Sequence, residues 1–191
     1  MGMLIAGLVL FLGIHSVSII NATWRDRMVA RIGLIPWQGI YAIIAITGLV
    51  LVIKGFGMAR PDAATLYQSP AWLNYVAIVL QIFVFPLLFA AYLPGRIQTA
   101  VKHPMLAATK IWAFAHLLVN GNLADVILFG SFLAWAVADR ISMKRRTPLP
   151  VPGAPPSHVN DAIAVVLGLA IYGAFIFWLH QWLIGVSPVP H

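Results

Sequence analysis

Six histidines, His15, His103, His116, His158, His180 and His191, are the most versatile chemical groups in this chain, because imidazole donates, accepts, titrates near neutrality and binds metal ions. His15, His116 and His180 lie inside long apolar runs, where a polar group is costly unless it is hydrogen-bonded, ligated or faces a cavity. A single buried histidine is ordinarily a hydrogen-bonded structural residue. Three of them in separate apolar runs of one small chain point equally to cofactor ligation, and imidazole suits haem iron, zinc and copper alike. The chain contains no cysteine and no glutamate, so a conventional zinc site lacks its usual further ligands. Two imidazoles on opposite faces of a haem need no others. His158 sits in a proline-rich stretch and His191 is the last residue; neither carries a site argument.

Spacing restricts the pairs. His103 and His116 would be about 20 Å apart along a continuous helix, too far to share one iron. His116 and His180 each fall late in a run that starts on the same side, so depth alone favours that pair. His15 lies about five residues from the end of a run that starts on the opposite side, roughly 10 Å from the level of His116 in a simple ladder of helices. Lys110 is either a snorkelling lysine or a counter-charge for an anionic group such as a haem propionate. Asn120, four residues after His116, shares its helix face and either caps that helix or steadies the imidazole. Arg96, Lys102 and His103 form a basic rim that suits propionates or simply fixes topology. The cluster Arg140, Lys144, Arg145 and Arg146 reads as a topology signal with anionic-lipid contacts, with Asp139 placed to pair with Arg140.

The elements that position these groups follow from composition. Of 191 residues, 61% are apolar and 9% charged, far from the roughly 50% and 25% of a soluble domain. Apolar runs approach the roughly 20 residues that cross a bilayer, and no alternating barrel pattern recurs. The sequence therefore predicts an all-α polytopic membrane protein, a single domain over 1–191 with six transmembrane helices in one bundle. The runs are 3–20, 36–56, 72–93 with a bend at Pro86, 104–119, 123–139 and 162–184. The first, without a basic start, reads as a retained helix rather than a signal peptide. Pro61 to Ala64 suits a short helical turn, and Asn120-Gly121-Asn122 joins the fourth and fifth runs as a tight hairpin. A proline-rich linker, 147–157, precedes Asn160-Asp161, which can cap the last helix.

The net charge of +7 resides in the connections. Arg25, Arg27 and Arg31 mark the first link, Arg96 and Lys102 the third, and Arg140 to Arg146 the fifth; the even links carry no net positive charge. By the positive-inside rule both termini are expected outside the cytoplasm. Membrane lipid is the expected partner, and no nucleic-acid motif is present.

His103-Pro104, Lys110, Trp112, His116-Leu117-Leu118, Asn120-Gly121, Asp125, Phe129-Gly130, Trp135, Asp139-Arg140 and Lys144-Arg145 resemble the signature of the NnrU family of bacterial integral membrane proteins, with His15 matching a histidine of the first helix. The resemblance covers nearly the whole chain. The family is associated with denitrification operons and is similar to plant zeta-carotene isomerase, a membrane enzyme that binds haem b. The resemblance implies haem b, with His15 and His116 as axial pair and His103 nearby, and redox or isomerase activity on an apolar substrate. Without cysteine, a ligand switch through a thiolate cannot operate here. Two other readings stand beside it. One is a non-enzymatic assembly or support factor for a nitrite or nitric oxide reductase, as a homo-oligomer or respiratory-complex partner. The other is a looser resemblance to membrane methyltransferases that modify isoprenylated cysteine.

Overall fold

The computed structural model describes residues 1–146 and 151–189, and the regular elements among them are helical. Residues 147–150 of the proline-rich linker and His191 lie outside the described residues. The fold divides into two compact units, Met1–Tyr67 with Gly121–Pro148, and Gln68–Asn120 with Leu149–His191.

The first unit begins with α1, Gly2–Ile32, whose helical path is broken at Asn21 (φ −153°, ψ 82°). The apolar limb thus ends where hydropathy predicts, but the basic link expected after it continues as helix. Asn21 itself explains this: its side-chain oxygen accepts the Trp24 N–H at 2.9 Å, which caps a second helical start. That second limb carries Arg25, Arg27 and Arg31, and ends at Gly33, whose φ is +89°. Helix α2, Leu34–Ala59, packs on α1. At Gly55 there is no room for a side chain, because the backbone of Leu4 occupies the place a Cβ would take. Small residues at such contacts let membrane helices approach backbone to backbone.

After α2 the chain makes a turn at Pro61-Asp62 rather than the expected helical start, then runs extended alongside 121–123. Leu66 N–H donates to the Gly121 carbonyl at 2.7 Å and Leu123 N–H to the Ala64 carbonyl at 2.8 Å. Helix α7, Leu123–Ser142, follows, its first turn capped by Asn122, which accepts the Asp125 N–H at 2.9 Å. It runs parallel to α1, Phe11 meeting Phe132 and His15 meeting Trp135 at ring separations of 5.7 and 6.0 Å. Near its end, Asp139 pairs with Arg146 at 2.6 Å, not with Arg140 as its sequence neighbour suggested. Adjacent helical residues point in different directions, whereas Arg146 comes back to the Asp139 face two turns later.

In the second unit the third apolar run is two helices, α3 (Trp72–Gln81) and α4 (Val84–Tyr92). The break falls at Ile82-Phe83, one turn before Pro86, where Ile82 and Phe83 donate to Val79 and Leu80 at 3.3 Å each in tighter turns. Pro86 has no N–H to offer the Ile82 carbonyl, and its ring crowds that position. Helix α5, Arg96–Val101, leads into α6, Pro104–Val119, which has the predicted limits. Between them Lys102 has φ 64° and ψ −44°, and His103 N–H donates to the Val101 carbonyl at 2.8 Å. This is a γ-turn of the rare, strained hand.

The last run is α8, Val159–Ala174, a single π-helical turn at Phe175–Leu179, and α9, His180–Ile184. Asn160 and Asp161 do not cap α8. Asp161 accepts the Arg96 and Ile97 N–H groups at 2.9 and 3.0 Å, and Asn160 donates to the carbonyls of Pro94 and Pro155 at 2.8 and 2.9 Å. They tie the start of α8 to the start of α5. Pro86 also lies directly against Gly168, filling the place of its missing Cβ. The helices expected to form a hairpin each pack within their own unit, α6 against α3, α4 and α5, and α7 against α1 and α2.

Four helical stretches are long and apolar enough to cross a membrane, Gly2–Ile32, Leu34–Ala59, Leu73–Tyr92 and Val159–Ile184; Pro104–Val119 is a shorter apolar helix. Their outward faces are strongly apolar, with Ile35 81% and Trp182 78% exposed. Such surfaces are stable only against lipid. This is a membrane protein.

Candidate functional site

The imidazole of His116 projects from α6 in the second unit. Its Nδ1 lies 2.8 Å from the Trp112 carbonyl and 2.8 Å from the amide nitrogen of Gln81 on α3, which itself donates to that carbonyl at 3.3 Å. A carbonyl only accepts, so the Trp112 contact needs the ring proton on Nδ1 and leaves the lone pair on Nε2, whereas the Gln81 amide nitrogen only donates and meets Nδ1 in the opposite tautomer. Gln81 buttresses this arrangement from across the helix pair. The Trp112 ring covers the same imidazole at 5.4 Å.

His180 stands beside it. The two ring centroids are 6.4 Å apart and their planes differ by 19°. His180 Nδ1 lies 2.7 Å from the Val186 carbonyl, which again leaves the lone pair on Nε2. Val186 reaches it because α9 ends at Gly185 in the left-handed conformation, φ 81°. The π-turn immediately before His180 widens the helix by one residue per turn. Such turns occur mostly as single insertions at functional sites, and this one sets the direction in which His180 leaves the helix. Both rings are therefore oriented by backbone carbonyls, as metal-ligating histidines are.

In the first unit, His15 is half-buried on α1 with Nδ1 2.6 Å from the Phe11 carbonyl. Phe11, Tyr41 and Trp135 surround it at 4.3, 5.2 and 6.0 Å. The buried indole N–H of Trp135 has no hydrogen-bond partner among the described residues. His15 and His116 thus belong to different units, each with its own complete surroundings. The other predicted residues have simpler settings. Asn120 donates to the His116 carbonyl at 3.0 Å, so its side chain caps α6. Lys110 is half-buried on α6, and His103 precedes Pro104 after the strained turn. Arg96 is exposed, its N–H held by Asp161.

Gln81 and the π-turn are the site features that sequence reasoning did not assign. Gln81 had a visible signal, a lone amide in the middle of an apolar run. The π-turn had none, since its residues Phe175 to Leu179 fit an ordinary apolar helix equally well.

A family model for NnrU protein matches residues 3–188. The chain belongs to the NnrU family. No curated protein and no solved structure matches it. In this NnrU-family chain the donor set matters: among the described residues no group of three or more His or Asp side chains is placed to hold a metal ion.

Proposed function

We propose that this NnrU-family protein holds a haem b within the membrane, with His116 and His180 as the axial pair. The observation that carries the reading is the 6.4 Å between their ring centroids. The ring planes lie 19° apart, near parallel, and these two imidazoles would be the residues that hold the group. The carbonyl-held Nδ1 of His180 supplies the second support, because it leaves Nε2 as the ligating nitrogen. The Trp112 ring and the Gln81 amide would fix the His116 ring, and the apolar helices would exclude water. A haem bound here would supply one-electron chemistry, for redox or isomerase turnover of an apolar substrate. His15 remains the alternative partner to His116 through the family resemblance, with its own Nδ1 held by the Phe11 carbonyl.

The same proposal includes six crossings with both termini periplasmic in the bacterial inner membrane. Hydrogen bonds between 64–67 and 121–123 join the second and fourth links, which supports a return of the chain through α6 after it leaves through α3 and α4. Asn160 and Asp161 join the fifth link to the third. The parallel course of α7 and α1 supports α7 as a further crossing.

Protein purified in mild detergent with haem supplied is expected to show a Soret band. Replacing either His116 or His180 with Ala should weaken haem binding by about tenfold or more, the scale on which even outer-shell losses act, while His15→Ala retains it. A colourless wild-type preparation would overturn the proposal. Loss in His15→Ala with full retention in His180→Ala would transfer the second ligand to His15.

A further inference from the structure

A groove of about 440 Å³ opens in the first unit between the Asn21 break of α1 and the C-terminal end of α7. Ser18 and Ile19 line one side, and Ala138, Ser142, Arg145 and Arg146 line the other. Its floor is apolar and its rim carries two hydroxyls and two guanidinium groups. The volume is that of a small-molecule site, which typically begins at roughly 300 Å³.

The charges on the rim are unequal. Arg146 is already committed, holding the Asp139 carboxylate at 2.6 Å and the Ser142 hydroxyl at 3.1 Å. Arg145 is exposed and has no acidic partner among the described residues. The chain has only five acidic residues, and the nearby Asp26 is taken by Arg25 at 2.7 Å. The counter-charge for this rim therefore comes from outside the protein.

Its depth identifies the source. The apolar limb of α1 ends at Ile20, which is 81% exposed, and the basic limb begins at once after Asn21. The groove straddles that boundary, with apolar Ile19 and Ala138 on the hydrocarbon side and Arg145 on the headgroup side. We infer that this groove binds the headgroup of an anionic phospholipid, its phosphate held by Arg145 and the Ser18 hydroxyl and its acyl chains laid along Ile19 and Ala138. Guanidinium groups suit phosphate because their planar donors match two of its oxygens. The pre-formed pairing of Arg146 with Asp139 and Ser142 shapes the pocket wall, so the lipid orders little on arrival.

The test uses the full chain in detergent, with native mass spectrometry counting retained phosphatidylglycerol against phosphatidylcholine. Wild-type protein is expected to retain phosphatidylglycerol preferentially. Arg145→Gln should lower that retention about tenfold, on the scale of a charged hydrogen bond. Lys144→Gln, which removes an equal charge outside the groove lining, should leave it near wild type. Ala138→Phe, which fills the groove without changing charge, should lower it as Arg145→Gln does. Equal effects of Arg145→Gln and Lys144→Gln would show diffuse attraction to a basic tail and overturn the site, as would unchanged retention in Ala138→Phe or equal retention of the two lipids.

Discussion

At the scale of single residues, the first unit contains a carboxylate that sequence position alone could not explain. Asp125 is 1% exposed; its carboxylate is met by the Arg60 guanidinium at 3.3 Å and by the backbone of Asn122, while its own N–H donates to the Asn122 side chain that caps the helix. Its place in the first turn of α7 also suits a negative charge, since the helix dipole is positive there. Removing Arg60 leaves that carboxylate without its guanidinium. Arg60→Ala is expected to cost about 1–3 kcal/mol, the penalty of an unmet buried acceptor, read as a lower unfolding midpoint in detergent. Asp125→Asn, which keeps the shape and removes the charge, should recover part of the loss when combined with Arg60→Ala. The same local logic separates the histidines. Carbonyl contacts at Nδ1 are found at His15, His116 and His180, but only His116 and His180 face each other within one unit.

At the scale of elements, the second unit depends on backbone contact between α4 and α8. Pro86 lies where a Cβ on Gly168 would go, and the Tyr172 hydroxyl donates to the Ile78 carbonyl at 2.8 Å one turn further on. The helix break caused by Pro86 is thus packed rather than solvated. Gly168→Val should force α8 away from α4 and destabilise the unit by about 1–3 kcal/mol, the usual cost of overpacking, with a lowered thermal midpoint as the readout. Because α8 leads through the π-turn to His180, the same variant should disturb the spacing of the two imidazoles, which links packing of this element to the proposed ligand pair.

Across the whole molecule, hydrogen bonds between links carry the topology. The second and fourth links are joined by backbone bonds, the third and fifth by Asn160 and Asp161. A single cysteine can report each side without interference, since the chain has none of its own. In intact cells, Gln68→Cys should react with a membrane-impermeant maleimide, whereas Ala100→Cys should react only after permeabilisation. The reverse pattern would invert the proposed orientation, and equal reactivity of both would remove the crossing between them.

Hydropathy located the apolar runs, and His103-Pro104 marked the start of α6, because both signals are local: helix period, chain length against bilayer thickness, and a proline where no N–H is needed. The order of polar residues from His103 to Arg145 likewise pointed to the NnrU family. Partners distant in sequence were another matter. Asn160 and Asp161 look like a cap for their own helix yet serve α5, and Asp139 passes over its neighbour for Arg146. The helical course of the basic link after Asn21 and the π-turn before His180 likewise appear only in three dimensions. Each depends on which helix faces come together, and that is settled by packing across the chain rather than by the residues nearby.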